Sequence, residues 1–104
     1  MTKSRSHEAA KVESFRSDPD YAADYLNAVL EDGDQEELLE TLRYMAGAFG
    51  GMTGLAEETA LNATTLYRTL SRKGNPELKS LTAILKAMGM RLAVQPLQAP
   101  PQPI

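Results

Sequence analysis

Residues 52–71, MTGLAEETALNATTLYRTLS, have the layout of two short helices joined by a tight turn. Thr53 to Thr59 makes the first helix, with Leu55 and Ala56 inward, and the small Ala56 side chain lets a second helix approach. Ala60-Leu61 makes the turn. Asn62 caps the second helix, where a side-chain oxygen satisfies an orphan backbone N–H. That helix runs to about Ser71, with Leu66 and Leu70 inward at i, i+4 spacing. Two short helices linked by three or four residues form a helix-turn-helix, whose second helix enters the DNA major groove.

The outward positions of the second helix are Ala63, Thr64, Thr65, Tyr67, Arg68 and Ser71. Thr64 and Thr65 suit base edges or phosphates, Arg68 suits bidentate reading of guanine, and Tyr67 reaches the backbone. Arg72 and Lys73, just past the helix, suit phosphate. With Thr53 opening the first helix and Asn62 and Ala63 opening the second, the candidate DNA-binding set is Thr53, Asn62, Ala63, Thr64, Thr65, Tyr67, Arg68, Arg72 and Lys73. Each of these is also an ordinary solvated residue when taken alone; the pattern carries the reading.

Upstream, Asp18-Pro19-Asp20 starts a helix, with Asp18 as N-cap and Pro19 at the first helical position. Tyr21, Tyr25, Leu26, Val29 and Leu30 follow at helical spacing, and Gly33 ends the element. Asp34 caps the next helix, with Glu36 and Glu37 in the dipole-favoured first turn. Leu38, Leu39, Leu42, Met45, Ala46 and Phe49 form its apolar stripe, and Gly50-Gly51 stops it. Residues 1–17 are polar and read as a flexible tail, although Val12 and Phe15 are three apart and suit either the start of a short helix or docking onto the body.

Downstream, Lys73-Gly74-Asn75-Pro76 is a loop. Ser80 is expected to cap the last helix, whose inward residues are Leu81, Ile84, Leu85 and Met88, with Gly89 as its stop. Met90, Leu92 and Val94 alternate with Arg91, Ala93 and Gln95, the pattern of a strand. A lone strand in a helical chain leaves backbone groups unpaired, so Met90, Leu92 and Val94 are assigned to a dimer interface, two copies pairing antiparallel. Pairing with the chain's own N-terminal arm, or packing on the last helix, is the alternative. Residues 96–104, rich in Pro, read as a disordered tail.

The 104 residues are 42% hydrophobic and 24% charged, which suits one core. The expected class is all-α: a four- to five-helix domain over residues 18–95 with a short C-terminal β-strand. There is no Cys and a single His, His7, in a polar stretch, so neither a thiol nucleophile nor a histidine metal cluster is on offer. No apolar run is long enough to span a membrane and no signal peptide is evident, so a cytoplasmic location is expected. No phosphate loop is present, since no Lys-Ser/Thr follows Gly50-Gly51, and no nucleophile–base arrangement is recognisable. An enzyme is not expected, nor is a cofactor.

The net charge of −3 is unevenly distributed. Residues 1–41 hold four bases (Lys3, Arg5, Lys11, Arg16) and eleven acids, whereas residues 42–104 hold seven bases and three acids (Glu57, Glu58, Glu77). Two surfaces with different partners are implied: a basic partner for the first and a phosphate backbone for the second.

The run from Ala60 to Ser71, then Gly74-Asn75-Pro76, then Leu85-Lys86-Ala87-Met88-Gly89-Met90-Arg91-Leu92, resembles the addiction-module antidote proteins. These are HigA-like antitoxins with a phage-repressor-type (Xre-like, lambda repressor-like) helix-turn-helix. Tyr25 to Asp34 is similar to that family's N-terminal segment, and the resemblance covers roughly residues 18–95. It implies the antitoxin of a type II pair, with a RelE/HigB-like ribonuclease toxin neutralised by direct binding. It also implies a homodimer that represses its own operator on double-stranded DNA. Members usually carry Gly at the turn, where the backbone needs positive φ, and often Arg just after the cap; this chain has Ala60 and Ala63. Without a toxin, the same motif reads as a stand-alone phage-type transcriptional regulator.

Overall fold

Leu39, Leu42, Met45 and Ala46 recur on one face of a single helix, and all four are buried. That helix is the hub of the fold. The computed structural model describes residues 3–97, and over them it is all-helical: α1 (Lys3–Ser17), α2 (Pro19–Asp32), α3 (Gln35–Ala48), α4 (Gly51–Thr59), α5 (Ala63–Thr69) and α6 (Leu78–Ala87). α1 and α2 pack on α3 and on each other, α3 packs on α4, and α4 carries both α5 and α6. One continuous core joins Phe15, Leu26, Leu42, Met45, Leu55, Leu66, Leu70, Ile84 and Leu85.

The capping chemistry explains the starts of three helices. Asp18 accepts the Tyr21 N–H at 3.1 Å, Asp34 accepts the Glu37 N–H at 2.8 Å, and Asn62 accepts the Thr65 N–H at 2.7 Å. α6 starts earlier than expected, with extended Glu77 and not Ser80 at its cap position and no side-chain cap bond. Its end is a Schellman closure: Gly89, at φ +78°, donates to the Lys86 carbonyl at 3.0 Å and Met90 to the Leu85 carbonyl at 2.8 Å.

The segment expected to be a flexible tail is helical over residues 3–17, which gives six helices where four or five were expected. Phe15 is the reason. Its ring is fully buried, with centroids 5.3 Å from Tyr25 and 5.7 Å from Tyr21, and burying an aromatic of this size outweighs the weak local pattern around it. Lys11 places its ammonium 4.4 Å from the Tyr25 centroid, closing the cluster on its solvent side. Tyr21 and Leu30, two of the apolar residues read at helical spacing, are 38% and 44% exposed; Ala22 is buried in that helix with Leu26 and Val29. His7 is exposed on α1.

The strand expected at Met90–Gln95 does not form. The described residues contain no strand, and Met90 is the last backbone N–H among them to find a backbone acceptor. The alternation is half realised: Met90 and Leu92 pack against the core, while Val94 is 99% exposed. One chain offers this segment no second strand, so there is no ladder for it to join. Most of the Pro-rich stretch expected to be a disordered tail, residues 98–104, lies outside the described residues. No helix of the described residues is long and apolar enough to cross a membrane.

Candidate nucleic-acid interface

α4 and α5 are joined by residues 60–62 and pack on each other, with Leu55 buried on the first and Leu66 on the second. The turn depends on Ala60, which sits at φ +64° and is the one non-glycine residue at positive φ among the described residues. A Cβ in this region crowds the following carbonyl. Thr59 buttresses the turn: its hydroxyl donates to the Leu55 carbonyl at 2.6 Å and accepts the Leu61 N–H at 3.3 Å. α4 begins at Gly51, two residues before the expected start, and α5 ends at Thr69, two before the expected end at Ser71.

Leu66 and Leu70 are fully buried, so α5 turns its opposite side to solvent. Thr53, Asn62, Ala63, Thr64, Tyr67, Arg68, Arg72 and Lys73 are all exposed, Tyr67 to 61%, and Thr65 is half-buried. Apart from Thr53, which lies on α4, the predicted residues are therefore gathered around one helix and its two ends, but they are not equally available. The Asn62 carbonyl oxygen is engaged by the cap. Ser71, expected outward, donates its hydroxyl back to the Arg68 carbonyl at 2.8 Å. Arg72 is paired with Glu36 of α3. Thr64, Tyr67, Arg68 and Lys73 make no side-chain hydrogen bond or ion pair to other described residues, which leaves two cations and two hydroxyls facing outward.

Sequence reasoning missed the contacts that hold the far end of this helix. Arg43, from the third turn of α3, donates to the Leu70 carbonyl at 2.5 Å. That carbonyl is at the C-cap of α5, where a cation is favoured by the helix dipole as well. Gln35 donates to the Gly74 carbonyl at 3.3 Å. Gly74 tolerates no side chain, because a Cβ there would lie 2.1 Å from the Thr69 carbonyl oxygen. The loop after α5 is thereby folded tightly under the helix end and fastened to α3. No local sequence pattern signals this; only the unpaired Arg43 in an otherwise apolar and acidic helix hints at a distant acceptor.

Glu36, Glu40, Arg43 and Arg72 together line a cavity of about 330 Å³ at this junction. Next to it, the Tyr44 hydroxyl donates to Glu40 at 3.1 Å. Burial first, and then that carboxylate, push the Tyr44 phenol up to about 12. The junction thus mixes the acid of one half of the chain with the base of the other. Among the described residues, no group of His, Asp and Glu is arranged to hold a metal ion.

The chain matches the family described as "Probable addiction module antidote protein" over residues 8–96. It is also 31% identical, over 71 residues, to an uncharacterised protein of Haemophilus influenzae strain Rd, a match covering 68% of this chain and 72% of that protein. No solved structure matches it. The matched span runs from the first turns of α1 through the segment after α6, taking in both the acidic half and the α4–α5 pair, and on that footing the chain belongs to the addiction-module antidote, or antitoxin, family.

Proposed function

We propose that α4 and α5 act as a phage-repressor-type helix-turn-helix, and that the chain is the antitoxin of a type II pair that represses its own operon and neutralises a RelE/HigB-like ribonuclease. The observation that carries the DNA reading is the division of α5 into a buried Leu66/Leu70 side and an outward side bearing Thr64, Tyr67 and Arg68, with Lys73 beyond its end. Arg68 reads guanine, Thr64 contacts a base edge or phosphate, and Tyr67 and Lys73 hold the backbone. Seven-residue α5 reaches only about two turns into a groove, so phosphate contacts supply most of the affinity.

The acidic half, α1 to α3, supports a basic protein partner, since eleven of the chain's fourteen acids lie in residues 1–41. Dimerisation through Met90, Leu92 and Val94 is supported by the unpaired backbone after Met90 and by Val94 and Leu97, which are 99% and 93% exposed beside the half-exposed Leu30.

Titration of the full chain against its own promoter duplex at several salt concentrations tests the DNA role. The expected result is a linear fall of log K with log salt, with a slope of about −0.9 per phosphate contacted. No binding at about 50 mM salt removes the DNA role. Sedimentation at the same protein concentrations is expected to show a dimer, and a monomer there removes the two-fold pairing. Co-purification with the product of an adjacent reading frame encoding a small basic protein separates an antitoxin from a stand-alone regulator.

A further inference from the structure

We propose that Glu36 is an internal stand-in for a DNA phosphate, holding Arg72 in the unbound chain and surrendering it when DNA arrives. The inference rests on the DNA-binding reading of α4 and α5 and concerns how that site is regulated. Two ion pairs are present among the described residues: Arg16 with Glu13 within α1, and Arg72 with Glu36. The second joins positions 36 apart and ties the acidic half of the chain to the basic half.

The surroundings make this pairing specific. Of the four charged residues that line the junction cavity, Arg43 is committed to the Leu70 carbonyl and Glu40 accepts the Tyr44 hydroxyl. Glu36 and Arg72 are left to each other. Gln35, next to Glu36, fastens the Gly74 carbonyl, so the loop that carries Arg72 is held against the start of α3. Arg68 and Lys73, which flank Arg72 on either side of the helix end, make no ion pair among the described residues.

The pair is weak by design of its position. The Arg72 and Glu36 side chains are 78% and 52% exposed, and ion pairs that open to water are worth little and are screened by salt. A guanidinium held this loosely exchanges readily to phosphate, which it grips in the same forked geometry as a carboxylate. Glu36 therefore reduces DNA affinity without blocking the site. A cationic side chain of a protein partner on the acidic face would relieve that restraint by occupying Glu36, and linkage then requires DNA to tighten the partner's binding by the same factor.

The test is a double-mutant cycle read as promoter-duplex affinity of the full chain at about 100 mM salt, with the variants Glu36→Gln, Arg72→Gln, the double variant, and Glu37→Gln as a charge-matched control. Glu36→Gln is expected to tighten binding about two- to fivefold, the worth of an exposed pair. Arg72→Gln should weaken binding, and adding Glu36→Gln to it should give no further gain. Glu37→Gln, one residue away and not paired with Arg72, removes the same charge without the ion pair and should leave affinity closer to the parent than Glu36→Gln does. Equal tightening by Glu36→Gln and Glu37→Gln, or a Glu36→Gln gain that persists without Arg72, overturns the proposal and leaves only a general charge effect. Unchanged affinity in Glu36→Gln overturns it as well. Parent binding distinguishes the two levels: if the parent binds and the cycle shows no coupling, the restraint alone fails, whereas if neither parent nor variants bind, the DNA reading fails and the restraint with it.

Discussion

α3 and α5 are both capped at their first turn by a short polar side chain, yet they are held in unlike ways. α3 has fourteen residues, its own N-cap, and a stripe that buries Leu39, Leu42, Met45 and Ala46. α5 has seven residues, too few to persist alone in water. Its inward face is only Leu66, with Leu70 at its C-cap, and its far end is closed by Arg43 and the Gly74 loop, both fastened from α3. The proposed DNA-reading face is therefore displayed on an element whose order is borrowed from the acidic half. Damage to α1–α3 should reach α5, while damage at α5 should stay local.

The largest test of that asymmetry is Phe15→Ala. Emptying a fully buried aromatic site costs about 3–5 kcal/mol, so the variant should unfold at markedly lower denaturant and lose α5 together with α1. An unchanged denaturation midpoint would mean that α1 contributes nothing to the fold. Arg43→Met probes the fastening directly. Loss of a charge-assisted bond to a part-buried carbonyl costs about 1.5 kcal/mol, and hydrogen exchange should accelerate at the α5 amides and the 70–74 loop while α2 stays protected. Equal acceleration in α2 would break the distinction between the two halves. The smallest effect is expected at Ala60→Gly, which relieves the left-handed alanine. The gain should be no more than about 1 kcal/mol, because glycine also adds freedom to the unfolded chain. A lower melting temperature in that variant would show that the freedom glycine adds to the unfolded chain outweighs the relief of the left-handed backbone.

Much of this arrangement was legible in the sequence where chemistry acts over three or four residues. Asp18, Asp34 and Asn62 cap the helices they were expected to cap, because a side-chain oxygen and the N–H it serves lie at a fixed offset. The stripe of α3 was legible for the same reason. α1 was not, because its polar run shows only Val12 and Phe15, and the worth of Phe15 depends on Tyr21 and Tyr25 of the next helix. The strand failed for the converse reason: a period of two is visible in residues 90–95, but a strand is defined by a partner that a single chain does not supply. At the candidate interface the positions expected outward are exposed except for half-buried Thr65, whereas the competition for Arg72 was hidden, since Glu36 lies in a different helix and a different charge block.

The packing order also sets a timetable. Every helix pair in backbone contact among the described residues is a neighbour or next neighbour in the chain, a topology that folds quickly and in the direction of synthesis. The acidic half can assemble on α3 while the α4–α6 region is still emerging. The bonds from Gln35 and Arg43 to Gly74 and Leu70, which span 39 and 27 residues, close only afterwards. A nascent or partly degraded chain that keeps α1–α3 would thus retain its acidic surface before, or without, the face proposed to read DNA.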